Sequence, residues 1–425
     1  MQVCWVIFVS DVRADFAGRF SLSLGEQYSD NILFQNPKVE DFATVIRPTF
    51  SLLYAPPGQT IPIFKADLTP EGQIFAQHPR ESNFGSNLTF TTEYTYYSSP
   101  KFTLYLSDGL ARLGKMRSGE DGFSGQFGGG TRGTILPPSG GGTGGPPVLQ
   151  GFDNSVVQGN EIRNQISLRG SYLYNPYLSV SGDYAFGYGR YLDAGGTDLW
   201  HRAGGRGIYK WGPEHNLFLG YGADIIKTRD GSQNIIHNID IGDDYFSSLK
   251  LNLDPTLTVL ASSGLGITTG SGSSGKGGGA LASRFNVTVT KLWQTATLSA
   301  GVNRGITPSL GVAGVSNTTS FVTNFNIRFT ELLSAFIRSN FSIYDTADGS
   351  FKTFNAGTGL RYRILSWLSS DLRYAHRWES GAGSSATSTN FVQKGGINSN
   401  TVALAFTADF DVWPTPGFAR APALP

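Results

Sequence analysis

Residues 178–188, Leu-Ser-Val-Ser-Gly-Asp-Tyr-Ala-Phe-Gly-Tyr, carry the pattern that decides the fold. From Leu178 to Tyr188, the even positions are large apolar or aromatic residues except for Gly182, and the odd positions are small or polar. A period of two residues is that of a β-strand, because successive side chains point to opposite faces. This stretch therefore predicts a strand with one apolar face and one polar face.

The same alternation recurs along the chain, for example in residues 84–96, 321–329 and 401–410, and no segment of comparable length has a helical period. Counting such segments predicts eighteen strands, with sixteen as the alternative count. The predicted strands are 17–28, 42–54, 61–76, 84–97, 101–111, 162–174, 177–191, 198–211, 215–228, 235–252, 256–268, 282–292, 294–304, 318–329, 332–344, 351–363, 366–378 and 397–410. The third and the tenth of these are the least distinct.

The composition indicates which solvent surrounds these strands. Charged residues make up 15% of the 425 residues, whereas soluble domains carry about 25%. The chain contains no run of roughly 18 apolar residues, which a transmembrane helix requires. Since only helices and closed barrels satisfy all backbone polar groups in lipid, the pattern predicts an all-β fold, a transmembrane antiparallel β-barrel in a bacterial outer membrane.

The connections between strands predict how the barrel is oriented. Short polar or proline turns follow every second strand, and longer Gly/Ser-rich loops lie between them, which is typical of short periplasmic turns and long external loops. The longest loop is 113–161, and we expect it to narrow the channel. The predicted segments are a remnant of an export signal at 1–14, the barrel at 15–410 and a Pro-rich periplasmic tail at 411–425.

Aromatic residues beside the short turns predict a girdle at the periplasmic interface, because Tyr and Trp rings prefer the headgroup level. These residues are Tyr96, Tyr174, Tyr177, Trp211, Trp293, Phe329, Tyr362 and Trp367, with Tyr54 and Phe102 also beside short turns. The opposite interface is expected to use Tyr28, Tyr191, Trp200, Tyr344 and Trp378.

If the apolar face contacts lipid, the other face lines the lumen, where charges avoid a cost of about 2–4 kcal/mol each at the membrane midplane. The arginines predicted to face inward are Arg169, Arg202, Arg206, Arg284, Arg328, Arg338, Arg361, Arg363 and Arg373. The acidic residues predicted to face inward are Glu93, Asp183, Asp224, Asp240 and Asp371. This surplus favours anions in the channel. The alternative is that the arginines pair with neighbouring carboxylates or are simply hydrated.

Several kinds of chemistry are not supported. A net charge of +1 with dispersed basic residues argues against nucleic-acid binding. Cys4 is the only cysteine, so no internal disulfide, no CxxC metal knuckle and no covalent haem is expected. The five histidines lack metal-ligand spacing, and the acidic residues Asp240, Asp243 and Asp244 are more simply solvated than cation-binding. We therefore expect no cofactor, no metal and no catalytic residues.

Residues 23–32, Ser-Leu-Gly-Glu-Gln-Tyr-Ser-Asp-Asn-Ile, resemble the opening strand and first loop of a family of outer-membrane β-barrel porins that are often encoded beside exopolysaccharide or exosortase export genes. The Tyr-Ser-Asp-Asn stretch is the most characteristic part. The resemblance implies a porin-like barrel and an association with export, and it implies no catalytic residue.

The sequence thus favours an outer-membrane pore for diffusion or export of polar solutes, including anions or saccharides, with outer-membrane lipid as its surroundings. One alternative is a structural barrel that sheathes a periplasmic cytochrome or polysaccharide-export protein. The other is an outer-membrane enzyme, which requires a carboxylate, a histidine and a hydroxyl within hydrogen-bond reach at one rim.

Overall fold

The structure is a computed structural model, and it describes part of the chain. The described residues are 15–32, 37–56, 63–113, 161–192, 195–212, 215–227, 231, 233–246, 256–271, 280–308, 315–346, 349–383 and 396–413. The expected export-signal remnant, nearly all of the 113–161 loop and the end of the expected tail therefore lie outside the described residues. Among the described residues, no helix is long and apolar enough to cross a membrane.

The described chain forms eighteen β-strands and one short 3₁₀ turn, Pro79–Glu81. The first nine strands are β1 Asp15–Ser29, β2 Asp41–Ala55, β3 Phe64–Phe75, β4 Asn83–Ser99, β5 Phe102–Leu113, β6 Glu161–Asn175, β7 Leu178–Tyr191, β8 Thr197–Lys210 and β9 His215–Lys227. The other nine are β10 Gln233–Phe246, β11 Leu257–Ser271, β12 Ala280–Leu292, β13 Ala296–Pro308, β14 Val315–Arg328, β15 Leu333–Thr346, β16 Gly349–Leu365, β17 Leu368–Gly383 and β18 Ile397–Trp413.

Every strand pairs in antiparallel fashion with its neighbours along the chain, and β1 also pairs with β18. The sheet is therefore a closed barrel of eighteen strands, which confirms the predicted fold and strand count. The third strand is shorter than predicted. The described tenth strand ends at Phe246, and residues 247–252 of its predicted range lie outside the described residues. β18 continues to Trp413, past the expected end of the barrel at residue 410.

The barrel closes along β1 and β18 through inward-facing polar side chains. Ser21 Oγ donates to Asp409 Oδ1 at 2.8 Å, and Arg19 Nε lies 3.3 Å from Asp411 Oδ1. Higher on the same seam, the hydroxyls of Ser29 and Ser399 are 3.1 Å apart. These contacts join segments at opposite ends of the sequence, and the backbone ladder between the two strands leaves neither of them as an open edge.

The barrel has its apolar side chains on the outside. Leu24, Ile241 and Leu404 are among the many large hydrophobic residues that are more than a third exposed, at 51%, 61% and 43%. On the opposite strand face, polar residues such as Asn340 and Thr353 are nearly or fully buried. A soluble protein would place these two sets the other way round, so this arrangement fits a surface in contact with lipid.

One rim carries the short turns, and we call it the short-turn rim; the opposite one is the long-loop rim. Side chains fix two of the short turns. Asn175 Oδ1 accepts 2.8 Å hydrogen bonds from the backbone N–H groups of Tyr177 and Leu178. Thr330 Oγ1 accepts from the N–H of Leu333 at 3.0 Å. In outer-membrane barrels the short turns face the periplasm, which places the long-loop rim outside the cell.

Candidate functional site

The candidate site is the inner wall of the barrel, and the strand register shows which residues share that face. Residues paired across an antiparallel ladder lie on the same face of the sheet. Arg169 pairs with Asp183, Arg202 pairs with Asp224, and the residue opposite Asp240 is Gly264, which in turn pairs with Arg284. By the same register, all fourteen charged residues predicted for the lumen lie on the face opposite the exposed apolar side chains.

Seven of these residues form the first charged group, on β6 to β12. The members of this β6–β12 group are Arg169, Arg202, Arg206, Arg284, Asp183, Asp224 and Asp240. The Arg202 Nε lies 3.9 Å from a carboxylate oxygen of Asp183 and 3.9 Å from one of Asp224. Arg284 donates to Asp240 at 3.2 Å. The acidic and basic side chains of this group therefore largely balance one another.

Glycines make room for these long side chains against the wall. A Cβ atom at Gly264 would lie 2.7 Å from Asp240 Oδ1 and 2.1 Å from the backbone oxygen of Ile239, so the site accepts no side chain without a backbone shift. A Cβ at Gly204 would lie 3.1 Å from Asp183 Oδ1, and one at Gly305 would lie 3.3 Å from Arg284 Nε. The inward-facing glycines thus let the charged residues lie along the strands.

The second charged group centres on Asp371 of β17, and we call it the Asp371 group. The Asp371 carboxylate accepts from Arg361 Nε at 2.8 Å and lies 3.5 Å from a terminal nitrogen of Arg373. The guanidinium of Arg338 lies 4.8 Å from the centre of the Phe336 ring on the same wall. Arg328 and Arg363 face inward nearer the short-turn rim. The wall formed by β14 to β17 therefore carries five of the predicted inward-facing arginines and one of the predicted inward-facing acids, Asp371.

The sequence reasoning missed several inward-facing charged residues, and most of them form pairs. These pairs are Arg19 with Asp411, Arg47 with Glu71, Lys65 with Asp67, Arg163 with Glu161 and Arg377 with Glu379. Each pair is electrically neutral. Because these pairs add no net charge, the surplus of inward-facing arginines over acids stays on the wall formed by β14 to β17. It is not spread evenly around the lumen.

Three of the pairs join residues two positions apart on one strand, namely Lys65 with Asp67, Arg163 with Glu161 and Arg377 with Glu379. Such i, i+2 pairs share a face of the strand, so this spacing is a signal that the sequence does contain. Glu93, the remaining predicted acid, lies opposite Lys65 on β3 and opposite Ser107 on β5, away from both charged groups.

The eight predicted girdle residues all lie at or beside the short-turn rim and are between 43% and 68% exposed. Three of the five aromatic residues expected at the other interface lie elsewhere. Tyr191, Trp200 and Tyr344 are only 5 to 7% exposed and face inward, so the expectation that they contact the outer interface is wrong. Each ring has the same parity as an inward-facing charged residue on its own strand, namely Asp183 for Tyr191, Arg202 for Trp200 and Arg338 for Tyr344, so the period of two places all three inside the barrel.

The possible metal and catalytic sites gain no support. Among the described residues, no group of three or more His, Cys, Asp or Glu side chains is arranged to hold a metal ion. The Asp240 carboxylate forms an ion pair with Arg284. The histidine and carboxylate that come together at the long-loop rim are His78 and Asp41, with 2.8 Å between Nδ1 and Oδ2.

Asp41 also accepts hydrogen bonds from the backbone N–H groups of Phe42, Gln77 and His78. These bonds hold the start of β2 against the connection between β3 and β4. Within the described part of the chain, no hydroxyl is hydrogen-bonded to the His78 ring. The His78–Asp41 pair therefore lacks the hydroxyl that the enzyme alternative requires.

Neither a protein-family model nor a curated protein matches the chain. Among solved structures, it is similar to OccK2 (OpdF) of Pseudomonas aeruginosa, with 10% identity, a TM-score of 0.47, and coverage of 94% of this chain and 98% of that chain. It is also similar to P. aeruginosa OpdK with vanillate (11%, TM-score 0.45, 93% and 99%) and to Acinetobacter baumannii OccAB3 (14%, TM-score 0.43, 93% and 100%). At these identities and TM-scores, the likeness is one of general fold.

The closed ladder of eighteen strands, the apolar exterior and the polar interior define the class of protein. The chain is a β-barrel protein of the bacterial outer membrane.

Proposed function

We propose that this barrel is a pore for small polar solutes and that it favours anions. The observation that carries the proposal is the positive charge of the β14–β17 wall. Apart from the neutral Arg377–Glu379 pair, the inward-facing charges of these described strands are one carboxylate, Asp371, and five arginines: Arg328, Arg338, Arg361, Arg363 and Arg373. Positively charged pore linings attract anions and repel cations.

The architecture supports conduction because barrels of 16 to 18 strands enclose an aqueous channel unless they are plugged. Paired charges on the β6–β12 group contribute little net field, so the β14–β17 wall gives the lumen its polarity. Small carboxylates and acidic saccharides are solutes of suitable charge. The export association implied by the resemblance at residues 23–32 is part of this proposal.

Planar-bilayer recording in a salt gradient tests the proposal. The first variant is Arg328→Gln with Arg338→Gln and Arg363→Gln, which leaves the two partners of Asp371 in place. The matched control is Lys291→Gln with Arg304→Gln and Lys352→Gln, which removes the same charge from the outward face. We expect the native barrel to prefer anions, the lumen variant to lose most of that preference, and the control to retain it.

The preference should also weaken as salt rises, because the screening length falls from about 10 Å at 0.1 M to about 3 Å at 1 M. A cation preference in the native barrel would contradict the anion proposal. A folded barrel without any conductance would contradict the pore and favour the sheath or enzyme alternatives.

A further inference from the structure

Three basic residues face outward at the long-loop ends of three alternate strands, on the lipid side of the barrel. They are Arg112 on β5, Arg190 on β7 and Lys227 on β9, and all three side chains are exposed. Each follows the parity of exposed apolar residues on its own strand, such as Leu110 on β5 and Ile225 on β9. None of the three has an ion-pair partner among the described residues.

The strand register brings these residues together. Ile162 of β6 pairs with Arg112 on one side and with Arg190 on the other, so the two arginines lie in one row across three strands. With neighbouring strands about 4.8 Å apart, their Cα atoms are about 10 Å apart. Lys227 lies in the adjacent row, which continues through Leu199 to Tyr188.

The height of this basic patch, defined as Arg112, Arg190 and Lys227, matches the lipid headgroups. Arg190 is twelve residues after Leu178, the first residue of β7 at the short-turn rim. At about 3.3 Å per residue and a strand tilt of about 40°, it stands about 30 Å above that rim. The apolar band of such barrels is about 25 Å tall, so the patch lies just above it on the extracellular side.

Negative charge near the patch is small. Asp108 is the only carboxylate among the described outward-facing residues of β5 to β9. Its Oδ1 accepts from Asn164 Nδ2 at 2.8 Å, and it lies four residues below Arg112 on the strand, a distance of about 13 Å. The face that meets the headgroups therefore carries two guanidiniums and one ammonium.

We propose that the basic patch binds the phosphorylated headgroup of a lipid in the outer leaflet. An arginine guanidinium matches the geometry of a phosphate through two parallel hydrogen bonds. Each further Lys or Arg near an anionic membrane surface adds to the binding free energy. The patch opens toward the membrane and not toward the lumen, so a lipid phosphate reaches it directly, with the acyl chains against apolar residues such as Ile166 and Leu168 below it. This inference is independent of whether the barrel conducts.

The test uses the folded full chain in neutral detergent, titrated with diphosphoryl lipid A, with bound lipid counted by native mass spectrometry. The patch variant is Arg112→Gln with Arg190→Gln and Lys227→Gln. The control is Lys291→Gln with Arg304→Gln and Lys352→Gln, which removes the same number of outward-facing charges from β12, β13 and β16, away from the patch. We expect the patch variant to bind at least about tenfold more weakly than the native barrel, and the control to stay close to it.

A version with Arg112→Lys and Arg190→Lys keeps the charge but loses the fork, so its affinity should fall between those of the native barrel and the patch variant. Heat-modifiable migration of every variant verifies folding. Equal binding by native and patch variants, or an equal loss in patch and control variants, would overturn the proposal. Equal binding of dephosphorylated lipid A would also overturn it, because that result removes the lipid phosphate as the ligand. Full displacement of the lipid by a roughly 10-fold excess of inorganic phosphate would do so as well, because the patch would then be a site for free phosphate.

Discussion

Asp371 and Arg361 form a cross-strand ion pair between β17 and β16, in which Arg361 Nε donates to Asp371 Oδ1 at 2.8 Å. The two partners differ in exposure: the side chain of Asp371 is 3% exposed, whereas that of Arg361 is 54% exposed. The acid is thus embedded in the wall, and the base extends from it into the lumen. This arrangement presents positive charge to the lumen although the pair is formally neutral.

Replacing Asp371 with Asn should increase the preference for anions, because it removes the carboxylate that contacts both Arg361 and Arg373 and leaves both guanidiniums charged. The reversal potential in a salt gradient reports this change. Asp345→Asn is the matched control, since Asp345 is exposed on the outward parity of β15. An unchanged or cation-shifted potential in the Asp371 variant would argue against a role of this wall in selectivity.

Placing a lysine on the lipid face should disturb the barrel far more than placing one on the inner face. Leu404→Lys puts a charge at an outward position that is 43% exposed to lipid, at a cost of about 2–4 kcal/mol near the midplane. Thr407→Lys is the control on the same strand, where the native hydroxyl donates inward to Ser23 Oγ at 3.2 Å. Folding yield into vesicles and urea unfolding measure the difference. Similar losses in both variants would mean that the assignment of faces is incorrect.

Deleting residues 115–159 and joining the ends with a short Gly/Ser linker should leave the barrel folded, because β5 and β6 keep their full ladder and loop length changes stability only slowly. If the loop narrows the lumen, as the sequence predicts, single-channel conductance should rise. Heat-modifiable migration monitors folding in the same samples. A folded deletion variant with native conductance would show that the loop does not restrict the pore.

Acid should weaken a contact between the first connection and β18. Asp30 lies between β1 and β2, outside the membrane-spanning strands. Partial burial acts to raise its pKa, but hydrogen bonds from Lys38 and Asn400 outweigh this effect and hold the pKa of Asp30 below its ordinary value. The Lys38 Nζ and the Asn400 Nδ2 both lie 2.8 Å from Asp30 Oδ2.

Because the folded state lowers this pKa, the stabilisation is complete above the unfolded pKa of about 3.9 and is lost as the pH falls through the lower folded value. We expect Asp30→Asn to cost about 1 kcal/mol of unfolding free energy at pH 7, after allowance for partial exposure, and to cost less below pH 3. Urea unfolding at both pH values measures this. A penalty that does not depend on pH would assign the loss to packing and not to the charge.

The sequence by itself determined the strands and the two faces of the barrel. Residues such as Leu178 and Tyr188 repeat a period of two that only a β-strand satisfies, and in lipid each strand must exchange all of its backbone hydrogen bonds with neighbours, which leaves closure as the solution. The face that each of the fourteen charged residues occupies follows from the same period. Local chemistry was therefore sufficient for fold class, strand number and inward or outward direction.

Only the tertiary structure decided which inward charges meet and how they balance. Arg47 pairs with Glu71 and Arg19 with Asp411 across different strands, and their register depends on how neighbouring strands slide until side chains and turns fit together. Tyr191, Trp200 and Tyr344 are different: they share the parity of inward-facing charged residues on their own strands, so the period of two already gave their direction and only their position near a rim was misleading. Period two fixes alternation within a strand, but the neighbours of a side chain are set by register across strands, and that property belongs to the assembled barrel.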